Sequence, residues 1–208
     1  MRTFIYVDGF NLYYGELKGT PWRWLDLPSL FSKVLPPNHS ILAVKYFTAK
    51  VSSTHSDNAK PHRQDAYLRA LRHHRPQVEV YFGHFLSHPV SMPLVQPAEK
   101  QSTAFVIKTE EKGSDVNLAV HLLNDSWLDS YDCAVVVSND SDIAEAMRLV
   151  RHHHGKQIGL ITPGKRKSSN QLRMHADFVR RIRPSALQNS QLPDPIPGTN
   201  ISKPARWR

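Results

Sequence analysis

Apolar residues in this chain fall into runs of two kinds. Ala134, Val135, Val136 and Val137 form a continuous, mostly β-branched block, the pattern of a parallel strand covered on both faces. The block stops at Ser138, and the chain turns polar through Ser138-Asn139-Asp140-Ser141-Asp142. Ile143, Ala146, Met147 and Val150 then recur at i, i+3, i+4 and i+7, which predicts an amphipathic helix. Further strands are predicted at Thr3 to Val7, Ile41 to Ala49, from Val78 through Val80 and Phe82, at Gln157 to Thr162 and at Phe178 to Ile182. Helices are predicted before Pro36-Pro37, from a cap at Ser56 or Asp57 to His74, after Ser114, where Val116, Ala119, Val120 and Leu123 share a face, and from Ser168 to His175. Alternating strands and helices predict an α/β fold, doubly wound around a mainly parallel sheet.

Two stretches break the pattern. Between Leu86 and Ser102 come Pro89, Pro93 and Pro97 with little periodicity, so an irregular hairpin inserted at about 86–110 is expected, with Thr103 to Thr109 as its returning strand. From Pro184 onward the chain is rich in Pro, Gln, Asn and Ser and ends in Lys203, Arg206 and Arg208. The expectation is one domain over residues 1–183 and an extended, disordered basic tail over 184–208, available to a nucleic acid, a protein partner or a second copy of the chain.

With 208 residues, 40% of them hydrophobic, the chain suffices for one α/β domain with a full core. It has no apolar stretch of membrane-spanning length and opens directly into a strand, so a cytoplasmic protein with no membrane partner is expected. The single cysteine, Cys133, lies within a predicted strand and suits a reducing compartment. The formal net charge is +9, and from Arg148 to Arg183 ten basic residues face Asp177 as the only acid. Such a run attracts phosphate backbones by counterion release, the alternative being a merely solvated surface.

Against that basic background, aspartates stand at the carboxyl ends of strands or the starts of helices. Asp8 follows the first strand, with Gly9 to turn the backbone and Asn11 to orient the carboxylate; Asp115 opens a helix that Ser114 would cap; Asp140 and Asp142 follow the central strand. Taken singly, each is an ordinary cap. Taken together, a parallel sheet would gather them at one edge, where α/β folds bind ligands. Carboxylates so gathered repel one another unless protonated or neutralised by a divalent cation, and oxygen ligands suit Mg²⁺ or Mn²⁺. The chemistry indicated is metal-assisted phosphodiester hydrolysis.

The segments V-D-G-F-N-L-Y (Val7 to Tyr13), K-G-S-D-V (Lys112 to Val116) and V-V-S-N-D-S-D (Val136 to Asp142) together resemble a NYN domain of the LabA-like branch of the PIN-like nucleases. The resemblance covers roughly residues 2–183. It implies a PIN-like, Rossmann-like three-layer α/β/α fold and a metal-dependent endoribonuclease with Asp8, Asp115 and Asp140 as catalytic, metal-binding acids. Asp142 joins them at the metal, Asn11, Ser138 and Asn139 are the supporting polar groups, and the substrate is RNA, preferably single-stranded. This chain departs from the family pattern with His121 where relatives often carry an acid, and with Asn139 and Ser141 where relatives carry glycines. Lys112 and the loop Lys165, Arg166 and Lys167 are the candidate phosphate contacts. The partial match of Gly159 to Lys165 to a nucleotide-binding loop is set aside, because Arg166 stands where Ser or Thr is needed. The rival reading is a PIN-like module that binds RNA or protein and cleaves nothing.

Overall fold

The computed structural model describes residues 1–53, 57–98, 101–165 and 167–207. Seven strands form one sheet: β1 (Arg2–Asp8), β2 (Ser40–Ala49), β3 (Val78–Ala98), β4 (Gln101–Lys112), β5 (Cys133–Val137), β6 (Gln157–Ile161) and β7 (Phe178–Arg180). Their order is β4-β3-β2-β1-β5-β6-β7, parallel throughout except for the antiparallel β3–β4 pair. The chain winds from β1 toward β3 and then crosses back to β5, so the winding direction reverses beside β1. A crevice opens at the carboxyl ends of strands where such a reversal occurs.

The central strands read as near-continuous apolar runs because both sheet faces are covered. Ile5, Val7, Val135, Val137 and Ile161 point into one buried cluster, beneath α2 (Leu27–Val34), α3 (Lys60–His74) and α7 (Pro184–Gln188). Tyr6, Ala134, Val136, Ile158 and Leu160 point into the other, beneath α4 (Ser114–Trp127), α5 (Ala144–His154) and α6 (Asn170–Met174). The result is the three-layer arrangement expected of the pattern. α4 is pinned to the sheet by Asp125, which accepts the Tyr6 hydroxyl at 2.7 Å and pairs with Lys45 at 2.6 Å. Among the described residues no helix is long and apolar enough to cross a membrane.

Several elements differ from expectation. The 86–110 stretch is a long two-stranded ribbon, and its prolines are tolerated because β2 ends opposite Gly83, leaving one edge of β3 open from His84 on. The last strand stops at Arg180, short of Ile182. Helix α3 starts at Lys60 with no side-chain cap; Asp57 instead pairs with Arg63 and Arg206, and Ser56 lies outside the described residues.

The segment after Pro184 is folded onto the domain, contrary to the expected free tail. Leu187, Leu192, Ile196 and Trp207 are buried in the cluster that holds Trp24, Leu25 and Tyr67. The main chain holds it there: Asp26 N–H donates to Ser190 O at 2.8 Å, Leu192 N–H to Trp24 O at 2.8 Å, and Trp24 Nε1 to Pro193 O at 3.0 Å. Four well-spaced apolar side chains with main-chain pairing offset the ordering entropy that composition alone argued against.

Candidate active site

The carboxyl ends of β1 and β5 are tied together by polar side chains. Asp8, 4% exposed, closes β1 and caps α1 (Gly9–Leu12): its Oδ1 accepts Asn11 N–H at 2.9 Å, and its Oδ2 accepts Asn11 Nδ2 at 2.6 Å and the Ser138 hydroxyl at 2.9 Å. Ser138 Oγ in turn accepts Asp140 N–H at 3.0 Å, and Asn139 N–H donates to Asn11 Oδ1 at 3.3 Å. Asn139 also reaches across to the next loop, accepting Ser169 N–H at 2.8 Å and donating to Lys167 O at 3.3 Å. Asn11, Ser138 and Asn139 thus join the carboxyl ends of β1 and β5 through hydrogen bonds. Gly9 is not needed for a special turn. It opens a helix so close to β2 that a Cβ would lie 2.7 Å from Phe47 O.

Capping occupies only some of the carboxylate oxygens. Asp140 Oδ1 accepts Asp142 N–H at 3.0 Å at the head of the single 3-10 turn before α5, while its Oδ2 accepts nothing among the described residues. Asp115 sits in the first turn of α4 and has no hydrogen bond or ion pair among those residues. The N-cap of α4 is Gly113, not Ser114, and Glu111 binds the first helical residue: its Oε1 accepts Ser114 N–H at 3.1 Å and its Oε2 accepts the Ser114 hydroxyl at 2.6 Å. Gly83 makes this possible, since a Cβ there would lie 2.2 Å from Glu111 Oε1.

Electrostatics link these groups. Burial, followed by the charges of Asp8, Asp140, Glu111 and Asp142, pushes the Asp115 carboxyl up to about 6. Burial also raises Asp8, with Asp140 adding to the rise and the hydrogen bonds from Asn11 and Ser138 opposing it. Glu111 therefore belongs to the acidic group although no motif pointed to it; its capping distance from Ser114 was the available signal. His121 faces other charges, those of Lys45, Asp125 and Glu79, and its ring packs against Tyr81 and Phe47.

The donor set suits a hard cation: all oxygen, mutually repulsive, with open lone pairs on Asp115 and Asp140. Among the described residues no three acidic, histidine or cysteine side chains converge tightly enough to enclose an ion.

Beside Asp140 lies an open crevice of about 580 Å³, walled by Phe10, Asn11, Tyr14, Gly15, Asn139, Ser141 and the loop Pro163, Gly164 and Lys165. Tyr14 is 57% exposed on a π-helical turn, Tyr13–Leu17, and Phe10 meets Phe85 of the ribbon edge to face at 5.8 Å. Glu16 Oε1 accepts Gly164 N–H at 2.6 Å, which fixes the loop bearing Lys165. Of the candidate phosphate contacts, Lys165 lines the crevice and Lys167 is exposed beside Asn139. Lys112 pairs with Glu110 at 3.6 Å on the ribbon, and Arg166 lies outside the described residues. Gly159 makes room for the Phe178 ring inside the sheet, so the partial nucleotide-loop match is a packing feature.

The NYN domain family model matches residues 2–182. The chain belongs to the NYN domain family. This places it in the PIN-like nuclease superfamily, and the matched range contains Asp8, Glu111, Asp115, Asp140 and Asp142. The chain is also 36% identical, over its whole length and 75% of the relative's, to the protein named 6-hydroxy-3-succinoylpyridine 3-monooxygenase HspA of Pseudomonas putida. A crystal structure of a Vibrio parahaemolyticus protein of unknown function shares the fold, with a TM-score of 0.55 and 19% identity over 92% of this chain and 96% of that one. The segment from Arg183 to Trp207 lies beyond the NYN match.

Proposed function

We propose that this NYN protein, of the LabA-like branch, is a metal-dependent ribonuclease that hydrolyses phosphodiester bonds of single-stranded RNA. The observation that carries the reading is the placement of Asp8, Asp140 and Asp142 at the carboxyl ends of β1 and β5, beside a crevice with aromatic and cationic walls, with burial and their charges raising Asp115. Mg²⁺ or Mn²⁺, held by Asp115 and Asp140 with Asp8 and Asp142 in support, would supply an activated water and charge neutralisation at the phosphate. Asn11 and Ser138 keep Asp8 oriented and favour its ionised form. The Asp142 main chain holds one Asp140 oxygen and leaves the other for the ligand. Phe10 and Tyr14 offer faces on which bases stack, and Lys165 meets the backbone charge.

The test is cleavage of an end-labelled single-stranded RNA by the purified protein with and without Mn²⁺. Activity should vanish in Asp140→Asn while the folded circular dichroism spectrum is kept. Equal residual activity in wild type and variant refutes the proposal.

One observation favours a second reading: the full-length similarity to a protein named as a pyridine monooxygenase. On that reading the space between Phe10 and Tyr14 receives a planar heterocycle, and its hydroxylation consumes dioxygen and a two-electron donor. Conversion of 6-hydroxy-3-succinoylpyridine with a reduced nicotinamide, in a preparation that cleaves no RNA, would replace the first reading with the second.

A further inference from the structure

Beyond the family match, the chain builds a second hollow. Between α2 and α7, beside the end of β7, an open cavity of about 530 Å³ is lined by Lys33, Arg180, Arg181, Arg183, Ser185 and Asn189, with apolar side chains and, among the described residues, no acid in its wall. Arg183, Ser185 and Asn189 come from the segment that the NYN match leaves out.

These cations differ from the rest of the basic run. Arg148, Arg151 and Lys156 pair with Glu145, Asp177 and Asp129, so their charge is answered within the protein. Lys33 Nζ instead donates to Ser29 Oγ at 2.7 Å, and Arg180 donates to Val179 O at 3.2 Å while lying 5.4 Å from the Phe178 ring centre. Their partners are neutral, so they keep their full charge. Arg183 makes no ion pair among the described residues, whereas Arg181 interacts with the Glu16 charge. Lys33, Arg180 and Arg183 around one opening repel one another until an anion enters, and guanidinium forks match phosphate oxygens.

The hollow is also placed to continue the crevice. β7 runs parallel to β6, so the main chain at Arg181 leaves the sheet at the carboxyl edge where Asp8 and Asp140 stand, while the Arg180 guanidinium turns back over Phe178, whose ring packs against His39 ahead of β2. Glu16 stands near both openings: it accepts Gly164 N–H of the crevice wall at 2.6 Å, and the charge of Arg181, which lines the hollow, offsets part of the burial that raises its carboxyl. Cations spread over an opening this wide suit successive phosphates of a chain better than a single phosphate.

We infer that the α2/α7 hollow is a backbone-binding subsite, holding phosphates of the same RNA strand whose scissile bond lies in the crevice. This inference rests on the ribonuclease reading. The test uses the full chain, the double variant Lys33→Gln/Arg183→Gln, and two single-stranded RNAs, one of about 4 nucleotides that fills the crevice alone and one of about 12 that extends beyond it.

In wild type the longer strand should bind more tightly. The double variant should weaken it by about tenfold at low salt and flatten its dependence of log affinity on log salt by about 1.4, or about 0.7 for each lost phosphate contact. Binding and cleavage of the shorter strand should not change. Both altered side chains are exposed, so the thermal midpoint should hold; if it falls, Arg183→Gln alone is measured and should flatten the slope by about 0.7. An unchanged slope for the longer strand overturns the subsite while cleavage of the shorter one leaves the ribonuclease reading intact. Protection by inorganic pyrophosphate that the variant loses, with RNA binding unaltered, also overturns it and assigns the hollow to a small phosphorylated ligand. If wild type neither binds nor cleaves either RNA, both readings fall together.

Discussion

Replacing Trp207 by alanine removes the last large side chain of the segment that closes over α2 and α3. Trp207 is 8% exposed, with its ring 6.4 Å from that of Trp24, 6.3 Å from that of Tyr67, and 5.6 Å from the Arg23 guanidinium. Buried Trp→Ala changes cost about 3–5 kcal/mol, and loss of the cation–π contact adds about 0.5–1 kcal/mol. Partial collapse of its surroundings puts the expected loss at the lower end, about 3 kcal/mol. With a urea m-value of about 2 kcal/mol/M for a domain of this size, the midpoint should fall by about 1.5 M. The matched control is Trp127→Ala: Trp127 is 78% exposed, and its loss should stay within about 0.5 kcal/mol. Urea titration followed by far-ultraviolet circular dichroism compares the two without relying on the indole that was removed. If Trp207→Ala is as mild as Trp127→Ala, the terminal segment is not part of the core and the packing argument fails.

Two further outcomes follow from the buried acids and thiol. Burial pushes the Cys133 thiol up to about 12, so the native protein should resist a disulfide reagent at pH 8 and react with one equivalent only after denaturation; stability from this group holds below the unfolded thiol's ionisation and is lost as pH rises toward the folded value. Rapid labelling of native protein would contradict the burial. Asp115, raised to about 6, binds its proton more tightly folded than unfolded, so it destabilises metal-free protein progressively from about pH 4 to above 6. Asp115→Asn should therefore stabilise metal-free protein at pH 7.5 by about 1–2 kcal/mol after allowance for solvent screening, read as a higher melting temperature, and do little at pH 4.5. A lower melting temperature at both pH values would show that the acids are not coupled as described.

The central strands were legible because burial on both faces leaves a chemical mark, an unbroken apolar run, visible at residues 133–137 without reference to any other part of the chain. The acids were legible for a related reason, since strand ends in an α/β sheet share an edge, and Asp8 and Asp140 needed only to follow strands to meet there. Interactions that depend on remote partners left no local mark. Leu187, Leu192, Ile196 and Trp207 have no helical or strand period, and only the groove offered by Trp24, Leu25 and Tyr67 makes them core. Prolines that argued against a strand at 89, 93 and 97 are four residues apart, so their nitrogens all face one side of the ribbon, consistent with the edge that lacks a neighbour. The basic run looked like one face in sequence, but space divides it between ion pairs, the crevice and the α2/α7 hollow.

The most direct measurement of the central claim is calorimetric titration of Mn²⁺ into metal-free protein, wild type against Asp115→Asn and Asp140→Asn. Saturable binding that stabilises wild type and is weakened at least tenfold in both variants is the result expected of carboxylates sharing one cation. Binding of equal strength in all three proteins would contradict it.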